Sequence, residues 1–141
     1  MKGVMHNNPA SITGIILLLN MPLVYAEKTK VLIFGGSEGD VYLGCLNCSP
    51  YDIDSVNYAY GRYGSFNSKI SILNPKGLYG SATSRYSPCN PNATFPPVLK
   101  NENGETFGRL VLGAEHYQAN DNTKVQQWLS EYVCRQEQGP E

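Results

Sequence analysis

Cys45 and Cys48 enclose Leu46-Asn47, and two thiols at that spacing can close a small ring that opens and re-forms by thiol–disulfide exchange. A helix starting just beyond them would lower the pKa of the first thiol, which makes the pair a candidate redox centre. Cys89 and Cys134 complete a set of four. In an exported chain, an even number points to disulfides ahead of metal or free thiols. Of the three pairings that four cysteines allow, Cys45 with Cys48 and Cys89 with Cys134 is favoured, because near neighbours pair readily and leave the distant two to each other. On the chain-entropy model the longer link stabilises by about 4 kcal/mol and the small ring by about 2 kcal/mol.

Other chemistry has thinner support. His116 is the single histidine beyond residue 26, and a lone histidine is more often a surface or hydrogen-bonded residue than a metal ligand. A zinc site wants two close cysteine pairs, whereas Cys89 and Cys134 are each solitary. Asp40, Asp52 and Asp54 have no EF-hand spacing, so no metal is expected. The loop from Gly35 to Asp40 has neither the Lys-Ser/Thr ending of a phosphate loop nor the dinucleotide fingerprint, and no cofactor is expected. No serine sits in a Gly-x-Ser-x-Gly elbow. Glu102 and Glu105 fall in a turn, and Asn92-Ala93-Thr94 fits a glycosylation acceptor in a surface loop. Nine of the ten tyrosines follow residue 26. Tyr60, Tyr63, Tyr79 and Tyr86, with asparagine and serine close by, form a candidate binding face for sugars or peptides, because such rings give contact area at low entropic cost.

The export expectation rests on the first 26 residues. A polar, mildly basic start containing Lys2 and His6 leads into an apolar run from Ile12 to Leu19, and Val24-Tyr25-Ala26 suits signal peptidase. The run is too short to span a bilayer, which needs roughly 20 residues. Cleavage after Ala26 would leave residues 27–141 as a single exported domain, periplasmic or secreted, with no membrane span. Loss of Lys2 moves the formal net charge from −1 to −2. With no basic stripe, nucleic acid is not an expected partner; a glycan or an envelope protein is.

The elements that would position these residues can be read from pattern. Thr29 to Phe34 and Val41 to Leu43 read as strands joined by a tight glycine-rich connection. Ser49-Pro50 with Asp52 reads as a helix start, placing Ile53, Val56 and Tyr60 on one face until Gly61 stops it. The middle of the chain, residues 61–91, carries an approximate sixteen-residue repeat: Gly61, Tyr63, Gly64, Ser65, Ser68 and Ser71 return as Gly77, Tyr79, Gly80, Ser81, Ser84 and Ser87. Each Tyr-Gly-Ser reads as a turn, and two copies are too few for a solenoid. In residues 96–137, Val98 to Lys100 and Thr106 to Leu112 make a hairpin around Asn103-Gly104. A helix follows, with Thr123 as its cap, Gln126 three residues on, and Val125, Trp128, Leu129, Tyr132 and Val133 at helical spacing. Trp128 is expected to dock on the sheet.

Two resemblances attach to these residues. The strand at Val31, the cysteine pair, a short helix, Pro97, the hairpin and the last helix sketch a thioredoxin-like outline. It departs from that fold in the long gap between Phe34 and Cys45 and in the turns that replace a helix and a central strand. Leu43-Gly44-Cys45-Leu46-Asn47-Cys48, followed by Tyr60 to Ser65, Gly77 to Ser81 and Tyr86-Ser87-Pro88, resembles a family of small exported bacterial proteins of unassigned function. That likeness runs from about Val31 to Leu99 and implies a bacterial, extracytoplasmic protein without implying an activity. The expectation is therefore a small disulfide-stapled α+β domain with a turn-rich repeat region, acting as a binding or structural component. The alternative is a thiol–disulfide protein working through Cys45 and Cys48.

Overall fold

Four short strands form one sheet. The computed structural model describes residues 28–135; the expected leader, and the last two residues of the expected hairpin-and-helix unit, lie outside them. The apolar run after Lys30 becomes β1 (Leu32–Gly35), with Ile33 facing the core. A turn closed by Gly39 N–H to Gly36 C=O returns the chain as β2 (Val41–Cys45). The second hairpin is β3 (Val98–Lys100) and β4 (Thr106–Arg109). The strand order is β2-β1-β3-β4, and every neighbouring pair is antiparallel. Asn101 holds the second hairpin: its Oδ1 accepts from the N–H of Asn103 and of Glu105, each at 2.9 Å. Gly104 takes φ +85°, a conformation that glycine adopts at little cost. The strand expected to run to Leu112 stops at Arg109, because beyond it Leu112 N–H bonds Pro88 C=O instead.

Both sheet edges are covered. Asp54 C=O accepts from Cys45 N–H, and Cys45 C=O from Val56 N–H, so the chain after β2 lies along its outer edge. Arg109 exchanges backbone bonds with Gln118 and Asn120 on the other side. Unpaired edges invite association with other chains, so this cover favours a self-contained sheet.

The segment between the hairpins contains no helix, which corrects the expectation for residues 49–60. A succession of β-turns takes its place. The N–H of Asp52, Ser55, Tyr58 and Gly61 each bonds the carbonyl three residues back, and the same spacing carries on with one extra residue at Gly64 and at Gly80 until Ala93. The cause is local. Ser49, Asp52, Ser55, Ser65, Ser71, Asn74 and their successors turn a side-chain oxygen onto the N–H two residues ahead. Serine, aspartate and asparagine offer the backbone that alternative to helical bonding, and at every third position they win. The inward residues therefore fall out differently from those of a helix. Val56 is buried whereas Ile53 is 72% exposed and Tyr60 is 90% exposed, so the three do not share the face expected of them.

The described residues end in α1 (Thr123–Trp128), which widens into a π-helical turn over Leu129–Val133, where Cys134 N–H reaches back five residues to Leu129 C=O. Asn122, rather than Thr123, is the cap, accepting from Lys124 and Val125 N–H. Gln126 spends its carboxamide on tertiary bonds instead of a capping box: Nε2 donates to Val111 and Asn120 C=O, and Oε1 accepts from Gly113 N–H. Leu129 and Val133 enter the core with Ile33, Leu43, Val56, Ile72, Leu73, Leu99 and Leu110. Trp128 lies half-buried against this core, 6.4 Å from Tyr132 between ring centroids. Two disulfides staple this mixed α+β structure, Cys45 to Cys48 and Cys89 to Cys134. The second ties the helical end to the turn coil.

Candidate functional site

The four tyrosines expected to share a face are separated by the fold. Tyr60 stands almost fully in solvent. Tyr63 is half-buried, its ring edge-on to Tyr42 at 5.1 Å with the Arg62 guanidinium 5.4 Å above it. Tyr79 is buried in the core and meets Tyr86 edge-on at 6.5 Å, while Tyr86 stacks on Phe95 at 5.8 Å. Three of the four thus pack the coil onto the body of the protein. Burial holds the Tyr42 and Tyr79 hydroxyls above the usual phenol pKa. For Tyr42 the Asp54 carboxylate, with Oδ2 at 3.5 Å from the hydroxyl, adds to the effect; for Tyr79, Tyr86 and Asp40 do.

Tyr60 has other companions. Tyr58 lies edge-on to it at 6.1 Å, and the same short stretch exposes Tyr51 by 90% together with Ile53. Single apolar side chains in solvent are ordinary, whereas apolar side chains grouped together mark contact surfaces. Here the backbone beneath them is hydrogen-bonded at Asp52, Ser55, Tyr58 and Gly61, so the rings project from a fixed support. Sequence reasoning missed Tyr51, and grouped Ile53 and Tyr60 with Val56 on one helix face, by reading a 3.6-residue period. The signal was the Ser/Asp/Asn spacing of three from Ser49 onward.

The cysteine pair sits differently from a redox centre. Cys45 is completely buried at the end of β2, Cys48 is half-buried, and the next residues form a turn that supplies no helix terminus to stabilise a thiolate. An all-antiparallel sheet of two hairpins also lacks the parallel strand–helix–strand unit that the thioredoxin outline requires. What the small ring does instead is aim Asn47. The Asn47 carboxamide accepts from Val31 N–H at 2.9 Å and donates to Thr29 C=O at 2.8 Å, pairing like a backbone amide with the strand entering the sheet.

The surface also carries concavities. An apolar groove of about 290 Å³ runs between Val31, Leu46, Leu99, Phe107 and Val125, and Leu46 and Val125 also line the adjoining hollow at Trp128. A more polar cleft of about 460 Å³ lies against Asn92, Glu115, His116 and Tyr117, with His116 Nε2 3.3 Å from Ala93 C=O. Among the described residues no three His, Cys, Asp or Glu side chains converge as a metal site would need, and no helix is long and apolar enough to cross a membrane.

No protein-family model matches the chain, and comparison with curated proteins and with solved structures gives no significant match.

Proposed function

We propose that this is a bacterial protein of the periplasm or secreted fraction that binds glycans of the cell envelope through exposed rings on a rigid turn coil. The observation that carries this reading is the pair Tyr51 and Tyr60, each 90% exposed above a backbone clamped every three residues. A sugar ring stacks on an exposed aromatic face, and a pre-organised support reduces the ordering cost of that contact. Two disulfides are compatible with an oxidising compartment. On this reading the leader ends at Ala26.

The support itself is a sixteen-residue unit present three times, over 49–64, 65–80 and 81–96. Matched positions favour this. Ser55, Ser71 and Ser87 are all buried, as are Val56, Ile72 and Pro88, while Tyr51, Asn67 and Thr83 are all exposed. The third copy hides in sequence because Pro96 replaces the final glycine and Ala93 replaces the earlier one. The coil is a scaffold that keeps its inward positions buried and varies the chemistry of its outward ones.

A panel of neutral and charged glycans and peptidoglycan tests the function. Tyr51→Ala and Tyr60→Ala should each weaken binding about tenfold or more at unchanged stability, in line with loss of an aromatic anchor. Binding by both variants equal to wild type would remove this face.

A further inference from the structure

Charge is unevenly distributed along the coil. From Gly61 to Pro96 the chain carries Arg62, Lys69, Lys76 and Arg85 and no aspartate or glutamate, although acidic residues outnumber basic ones, 12 to 11, in the whole sequence. All four cations are exposed. Among the described residues the only ion pair joins Lys30 to Glu102, far along the chain from all four. Among the described residues no ion pair neutralises them.

Two of the four are also held in place. The Arg85 guanidinium lies 5.0 Å over the Phe95 ring and 5.9 Å over Tyr86, and Arg62 lies over Tyr63. A stacked guanidinium is pre-oriented, so it loses less freedom when its N–H edge grips a carboxylate or phosphate. Lys69 and Arg85 stand sixteen residues apart, at equivalent outward positions of successive turns, and Lys76 occupies the position that Tyr60 has in the turns before it. Lys69 and Arg85 thus continue the exposed position of Ile53, and Lys76 that of Tyr60.

We infer that the coil between Gly61 and Pro96 binds an anionic polysaccharide, its acid groups paired with Arg62, Lys69, Lys76 and Arg85 and its sugar rings extending towards Tyr60. This deepens the glycan reading and rests on it. A polysaccharide with one acid per sugar suits four separated cations on a molecule whose formal net charge is −2 once Lys2 is lost with the leader. Duplex nucleic acid, with one charge per roughly 1.7 Å, would meet the acidic remainder of the surface at closer range and higher density.

The test uses the oxidised protein on immobilised polygalacturonate, with neutral dextran and duplex DNA beside it, at low and high salt. Lys69→Gln/Arg85→Gln should weaken polygalacturonate binding about tenfold or more, and raised salt should weaken wild-type binding similarly. Lys124→Gln/Arg135→Gln, which removes the same charge elsewhere, should change it less than about twofold. Equal effects of the two double variants, or tighter binding to DNA than to polygalacturonate, would overturn the inference. If dextran or peptidoglycan binding through Tyr51 and Tyr60 persists while charge variants change nothing, the charge inference alone falls. Failure to bind any glycan, neutral or anionic, sinks both readings.

Discussion

Gly80 lies against the carbonyl oxygen of Asn74 so closely that a Cβ there would overlap backbone atoms, and Gly64 stands in the same relation to Tyr58. The clash is with backbone on both sides, so no side chain can swing away to relieve it. Gly80→Ala is expected to destabilise by about 3 kcal/mol or more, as severe overpacking does. Gly104→Ala meets nothing within 4 Å and carries only the strain of its positive φ, about 1 kcal/mol. Urea melts of the two variants check the contrast; a Gly80 variant as stable as the Gly104 variant would mean that the coil is looser than described.

This relationship also shows where sequence reasoning reached and where it failed. The strands after Lys30 and Pro97 were legible because short apolar runs bounded by glycine and proline have few other uses. Asn103-Gly104 marked its turn for a similar reason. Residues 49–60 misled because Ser49-Pro50 and an early acid match a helix start, while the deciding competitor, serine and aspartate side chains bonding the backbone two residues on, acts only through its recurrence every third residue. The tyrosines misled for a different reason. Tyr63 and Tyr79 sit before the close-packed glycines Gly64 and Gly80, and that neighbourhood commits their rings to packing, whereas Tyr51 and Tyr60 lie at outward turn positions that spacing of three identifies.

Asn47 replaces a missing strand partner for Thr29 and Val31. Asn47→Ala removes two hydrogen bonds to backbone groups and should cost about 1–2 kcal/mol. Amide exchange localises the effect: Val31 N–H should lose protection before the Ile33 amide does. Unchanged exchange at Val31 would show that water substitutes fully for the side chain.

The two disulfides should differ in weight. Replacing Cys89 and Cys134 with serine opens a loop of 45 residues and should cost about 4 kcal/mol, against about 2 for the same change at Cys45 and Cys48. Because Cys45 is buried, the Cys45–Cys48 pair should not accelerate insulin reduction by dithiothreitol. Turnover in that assay would restore the redox alternative.

Tyr42 and Tyr79 make stability fall in alkali. Each hydroxyl has a folded-state pKa above its ordinary value of 10.0, so the folded protein retains protons that the unfolded chain releases. Their stabilisation is complete below about pH 10 and declines as pH rises above it. Tyr42→Phe cannot ionise and should therefore flatten part of that decline in urea midpoints measured between about pH 9 and 11. A slope as steep as that of wild type would place the alkaline sensitivity elsewhere.

The most direct measurement is a titration of the oxidised protein, with carbon-labelled tyrosine rings, against soluble peptidoglycan fragments and acidic oligosaccharides. The account predicts saturable ring-resonance shifts at Tyr51, Tyr58 and Tyr60, with Tyr79 unmoved in the core. An absence of shifts across the panel, or shifts led by Tyr79, would contradict it.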